Sequence, residues 1–132
     1  QINALENCTH VLGYNEPEHS EQHGSAQCSC GGAISEWSAF THHTEFFESG
    51  MRIGSPSPTN AGWLKNYVQY CHNYAYRCDF VVTHSYWKED IATWKKRLED
   101  IHNATGRPIW ITEMKTGASW DKFSETNVND AA

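Results

Sequence analysis

No apolar stretch in this chain approaches the roughly 20 residues that a membrane-spanning helix needs, so no such span is expected. Basic residues are scarce. Ten Lys and Arg stand against sixteen Asp and Glu, a net charge of −6 at pH 7. Nucleic-acid binding wants a basic face against the phosphates, so that class is set aside. Neither phosphate-cradling glycine pattern, G-x-G-x-x-G or G-x-x-x-x-G-K-[ST], occurs, which argues against a nucleotide-binding sheet. No internal repeat, low-complexity tract or signal-peptide pattern is present. The first residue is Gln1 rather than Met, which predicts a partial reading frame. The five cysteines, Cys8, Cys28, Cys30, Cys71 and Cys78, are odd in number and lack the spacing of a small disulfide scaffold.

What remains is the composition of a soluble globular domain, 39% hydrophobic and 20% charged, over a length that holds one real core. Aromatics are plentiful, with six Trp; a core absorbs many of these, and sugar rings stack on those left in loops. Cys71 and Cys78 flank a helix-to-strand turn where a bridge is expected if the protein is secreted. Asn7-Cys8-Thr9 and Asn103-Ala104-Thr105 fit the N-glycosylation sequon, a short pattern that also arises by chance.

The order of elements is legible. A strand is predicted over residues 9–14, followed by a long polar loop from Glu16 to Gly32. A helix over 33–48 would carry Ile34, Trp37, Phe40, Thr44 and Phe47 on one face. A short strand from Met51 to Gly54 precedes the turn Ser55-Pro56-Ser57-Pro58. Asn60 then caps a helix with Trp63, Leu64, Tyr67, Val68 and Cys71 at helical spacing. Residues 78–84 read as a third strand, and residues 89–103 as a helix with Ile91, Trp94, Leu98 and Ile101 facing inward. Gly106 and Pro108 stop that helix, and Ile109 to Thr112 form the last strand.

This β-α-β-α-β-α-β alternation builds a parallel sheet with right-handed crossovers. The loops after the strands carry the unusual chemistry and those before them are plain, as in a (β/α) barrel. Two of the strand ends carry a glutamate, Glu16 and Glu113. Two carboxylates at the same ends of parallel strands can converge on one glycosidic bond.

Four blocks extend this reading: Leu-Gly-Tyr-Asn-Glu-Pro-Glu (12–18), Arg-Ile-Gly-Ser-Pro-Ser-Pro-Thr-Asn (52–60), Asp-Phe-Val-Val-Thr-His-Ser-Tyr (79–86) and Gly-Arg-Pro-Ile-Trp-Ile-Thr-Glu (106–113). Together, in this order, they resemble glycoside hydrolase family 128, retaining endo-β-1,3-glucanases with a (β/α)8 TIM barrel. The resemblance implies an α/β fold comprising about half of such a barrel, residues 1–132 supplying strands 4 to 7 with outer helices. It implies Glu16 as acid/base, Glu113 as nucleophile, and Asn15 as the residue that hydrogen-bonds the sugar 2-OH. Retention asks for carboxyls about 5–5.5 Å apart with their pKa values pushed apart. The resemblance calls for no cofactor, and β-glucan oligosaccharide or polysaccharide is the implied partner; a secreted, extracellular location is expected of an enzyme acting on polysaccharide. Four parallel strands cannot close by themselves, so self-association or a complementary half-barrel is expected to complete the ring.

Strand alternation places the remaining candidates. If Glu113 faces the barrel axis, so do Ile111 and Ile109, and Trp110 turns outward into the helix layer as a core residue. Phe80, Val82, His84 and Tyr86 share one face, which sets His84 and Tyr86 at the rim; there they orient Glu113 or touch the sugar, the rival being a structural histidine. Trp87 and Trp120 are candidate stacking platforms in post-strand loops, while Trp37, Trp63 and Trp94 read as packing. Ser55, at a strand end, is a hydrogen-bond donor or simply part of a Ser-Pro turn. Two other functions stay open: a non-catalytic carbohydrate-binding relic of the barrel, and an interaction domain stabilised by zinc on His19, His23, Cys28 and Cys30. The H-x3-H then C-x-C spacing is tighter than that of known zinc sites, and a solvated loop with a disulfide is its plain alternative. No metal is assigned, and His42 and His43 read as surface residues.

Overall fold

Short parallel strands alternate with helices, and their ends follow from local chemistry. The structure, a computed structural model, describes residues 8–19, 30–42, 50–86 and 90–115. In chain order the elements are β1 (His10–Val11), α1 (Cys30–Thr41), β2 (Arg52–Ile53), α2 (Ala61–Asn73), β3 (Val81–Ser85), α3 (Ile91–Thr105) and β4 (Ile109–Met114). Asn60 caps α2 as its sequence position predicts: its side-chain oxygen accepts from the Gly62 and Trp63 backbone N–H groups, at 2.7 and 3.3 Å. Asp90 caps α3, and Gly106 ends it with φ at 64°, a left-handed conformation that glycine adopts without a Cβ clash.

β1 pairs with β2 and β3 with β4, all parallel, and a Gly54–Phe80 bridge joins the two pairs in the order β1-β2-β3-β4. β1 is much shorter than the predicted 9–14. Its neighbour carries Pro56 and Pro58, which have no N–H to give to a ladder. Pairing nevertheless continues irregularly through Gly13 N–H to Ser55 O and an Asn15–Ser57 bridge, and this carries the chain up to Glu16. Gly54 is required by close approach: a Cβ there would lie 2.6 Å from the Phe80 ring.

The core lies between the sheet and the helices. Ile34 and Trp37 of α1, Trp63, Leu64, Tyr67 and Cys71 of α2, Val81 of β3 and Ile101 of α3 form one buried cluster, with Ile109 packed against it. The buried stripe of α1 is Ile34, Trp37, Ser38 and Thr41, so Phe40 falls off it and is 54% exposed, contrary to expectation. The expected continuation through Thr44 and Phe47 lies outside the described residues. Trp63 and Trp37 are packing residues as predicted, and the Trp37 indole N–H donates to Gly54 O at 2.9 Å.

One expectation about facing is reversed. Ile109 packs with the helices, whereas Trp110 turns to the opposite face, 40% exposed, its ring 4.6 Å from Phe80 and 4.8 Å from His10. The cause is a bulge. Thr83 pairs with Ile111 but His84 pairs with Glu113, so Thr112 is skipped. One extra residue shifts the alternation, and Glu113 shares a face with Trp110 instead of Ile111.

Candidate active site

Each predicted rim residue stands at the C-terminal end of a strand. Glu16 follows the last irregular rung of β1 and is 2% exposed, held in a left-handed backbone conformation at φ 36°. A non-glycine residue there is uncommon and costs energy, and such residues cluster at functional sites. Its backbone is pinned by its own N–H donating to Ser57 O, and by its carbonyl accepting from the His19 N–H.

His84, near the end of β3, joins the two glutamates. Its Nδ1 is 2.7 Å from Glu16 Oε1 and its Nε2 is 3.4 Å from Glu113 Oε1. The ring is 1% exposed, and its backbone N–H donates to Pro58 O. The carboxyls differ in setting: Glu16 is buried, while the Glu113 side chain is 49% exposed. The Tyr86 hydroxyl donates to Glu113 Oε2. Partial burial first, then this bond and the charges of Glu113 and Glu16, push the Tyr86 phenol up, so it remains a donor. Glu16 Oε2 is buried with no hydrogen-bond partner.

Asn15 pairs in the last bridge to Ser57, directly before the buried carboxyl. Ser55 is structural: its hydroxyl donates to Pro56 O and accepts from the Val82 N–H, wholly buried. Trp94 donates its indole N–H to Ser85 Oγ. Trp87 and Trp120 lie outside the described residues. So do His23, Cys28 and His43, and with them much of the loop that would hold zinc. His19 instead meets Thr59 Oγ1 at 3.1 Å. Among the described residues no group of three or more metal-type side chains is assembled.

The sequence reading missed Glu18. Its Oε1 accepts from both the backbone N–H and the hydroxyl of Thr59, at 2.5 and 2.9 Å, and thereby ties the turn after Glu16 to the start of α2. The available signal was a second carboxylate two residues past Glu16, with Thr59 in the next matched block.

Buried and exposed carboxyls bridged by one imidazole, at the C-terminal ends of parallel strands, form an arrangement suited to acid–base and nucleophilic work on one bond. The model of the glycosyl hydrolase catalytic core matches residues 1–132. The chain belongs to that family. Among solved structures, this glycosyl hydrolase core is similar to a family 128 (subgroup I) endo-β-1,3-glucanase from Amycolatopsis mediterranei in complex with laminaritriose. The two share 25% identity at a TM-score of 0.66, over 88% of this chain and 48% of that one. It is also similar to a family 128 (subgroup VII) oligosaccharide-binding protein from Cryptococcus neoformans, with 22% identity and a TM-score of 0.70 over 92% and 48%. A family 39 β-xylosidase from Caulobacter crescentus matches at 17% identity and a TM-score of 0.67, over 89% and 27%. No curated protein sequence matches the chain. The chain thus spans about half the length of the family 128 structures that it matches, and its parallel strands and outer helices correspond to about half of such a barrel.

Proposed function

We propose that this glycosyl hydrolase core cleaves β-glucan, β-1,3-linked glucan above all, with retention, using Glu16 as acid/base and Glu113 as nucleophile. The observation that carries the proposal is the single buried imidazole of His84 in reach of both carboxyls. A second observation supports it. Two variants of the Amycolatopsis enzyme, each with a different glutamate replaced by alanine, are held in complex with laminari-oligosaccharides. Those two glutamates are as far apart along their chain as Glu16 and Glu113 are along this one.

The roles follow from the settings. Glu113 is open to solvent and steadied by Tyr86 and His84, as a carboxylate that must attack an anomeric carbon should be. Glu16 is buried, with Oε1 held by His84 and Oε2 left to meet the glycosidic oxygen of a substrate. In the first step Glu16 protonates the leaving oxygen while Glu113 forms the glycosyl ester. In the second, Glu16 takes a proton from the water that hydrolyses the ester, while His84 holds the Glu16 carboxyl in place through Nδ1. Asn15 holds the sugar 2-OH, and Trp87 and Trp120 supply stacking surfaces. No cofactor enters. Residues 1–132 are read as strands 4 to 7 of a barrel that self-association or a complementary half completes, in a protein secreted to meet its polysaccharide.

Hydrolysis of laminarin, with the anomeric configuration of the first product followed by proton NMR, tests this directly. Glu16→Gln and Glu113→Gln should each lower the rate by about 10²–10⁴-fold while leaving laminarihexaose binding by calorimetry intact. Unchanged rates in both variants would sink the assignment. Binding by the wild-type chain with no turnover would leave the carbohydrate-binding reading in its place.

A further inference from the structure

Away from the glutamates, at the end where α2 stops and β3 begins, two buried thiols face one another. Cys71 sits in the last turn of α2 and Cys78 three residues before β3, and both belong to the core cluster. The chain reverses between them: the Tyr76 N–H donates back to Cys71 O at 2.8 Å, and Ala75 takes a left-handed φ of 56°. Both cysteines are free. Cys71 Sγ is 3.7 Å from Ser38 Oγ, and the Cys78 thiol reaches Phe80 O at 3.5 Å. One cavity of about 540 Å³ is lined by both cysteines, with Tyr76, Thr105 and Arg107 at its wall. It gives a small reagent a route to sulfurs that are otherwise covered.

We propose that Cys71 and Cys78 are a dithiol modification site that closes to a disulfide by exchange with a small oxidised disulfide entering through this cavity. The two sulfurs are unequal, which orders the steps. The Cys71 thiol is drawn down to about 7, chiefly by its hydrogen bond with Cys78 and against the cost of burial, with Ser38, Tyr67 and Arg107 adding to the fall. The same hydrogen bond and burial push Cys78 up. Cys71 therefore attacks as thiolate, breaking the reagent's S–S bond and releasing one thiol, which takes up the proton that Cys71 gave up. Cys78 then surrenders its proton and attacks the Cys71 sulfur of the mixed disulfide, releasing the second thiol. Two protein thiols become one disulfide while one reagent disulfide becomes two thiols.

The bridge would tie the last turn of α2 to the approach of β3, at the end of the strands where structure governs stability rather than chemistry. The full chain, equilibrated in reduced and in oxidised glutathione buffers, then alkylated after unfolding and mapped by mass spectrometry, tests this. The oxidised sample should yield a linked Cys71–Cys78 peptide pair and a melting temperature several degrees higher, an increment absent from Cys71→Ser. Alkylation of both residues in oxidising buffer, or linkage of either to Cys8, Cys28 or Cys30 instead, would overturn the proposal. Because the readout is covalent, it stands apart from whether the chain cleaves glucan.

Discussion

His84 holds the site together, and its burial makes it sensitive. His84 is 1% exposed and makes the hydrogen bond to Glu16 Oε1, so His84→Ala would leave buried Glu16 with neither oxygen paired to a protein group. The expected cost is about 1–3 kcal/mol of stability, the penalty of an unsatisfied buried acceptor, measured by thermal or urea unfolding. A melting temperature equal to wild type would show that the hydrogen bond to Glu16 contributes nothing. Tyr86→Phe tests the other carboxyl. It removes the donor to Glu113 without changing ring packing, and hydrogen bonds to charged groups contribute about 1.5–3 kcal/mol. A fall in laminarin turnover of about 10–100-fold is expected, with binding of laminarihexaose retained. Full activity would place Tyr86 outside the machinery.

Caps and a bulge decide how the helices and strands present these residues. Asn60 opens α2 and stands next to Thr59, which Glu18 grips, so the helix start and the turn after Glu16 are one assembly. Asn60→Ala should cost about 1 kcal/mol, read as a lower denaturant midpoint with unchanged slope; no change in midpoint would mean that water caps the helix equally well. On β4 the bulge at Thr112 sets the facing of Glu113. Without it, regular alternation would set Glu113 and Trp110 on opposite faces, so that with Trp110 against Phe80 and His10 the carboxylate would point toward the helices.

Taken together, the strands form one parallel sheet with helices over one face. On the opposite face Trp110 and Leu12 are exposed, an apolar surface of the kind that parallel sheets ordinarily cover. The buried acids beneath the helices give the fold an alkaline limit. Tyr67, buried in the core and next to Cys71 and Cys78, keeps its proton well above the ordinary 10.0 of a phenol. Cys78 likewise stays protonated above the ordinary 9.0 of a thiol, through its hydrogen bond to Cys71 and its burial. Above those ordinary values the unfolded chain binds fewer protons than the folded one. Stability therefore falls as pH rises from about 9, by up to about 1.4 kcal/mol per pH unit for each group that stays protonated. Unfolding followed from pH 7 to 11 in reducing buffer checks this. A flat profile would mean that neither proton is held by the fold.

The order of elements, the cap at Asn60, the stop at Gly106 and the pairing of Glu16 with Glu113 at strand ends were all legible in the sequence, because each rests on signals that act over a few residues. Hydrophobic period, capping side chains and turn formers need no knowledge of what lies across the sheet. The outward face of Phe40, the reversal at Trp110, the grip of Glu18 on Thr59 and the bridge made by His84 were decided only by tertiary structure. His84 and Glu16 are 68 residues apart, and their contact exists only once the strands are in register. A single skipped residue in β4 changes which side chains share a face, and alternation read along one strand carries no mark of it, since a bulge is a property of two strands paired.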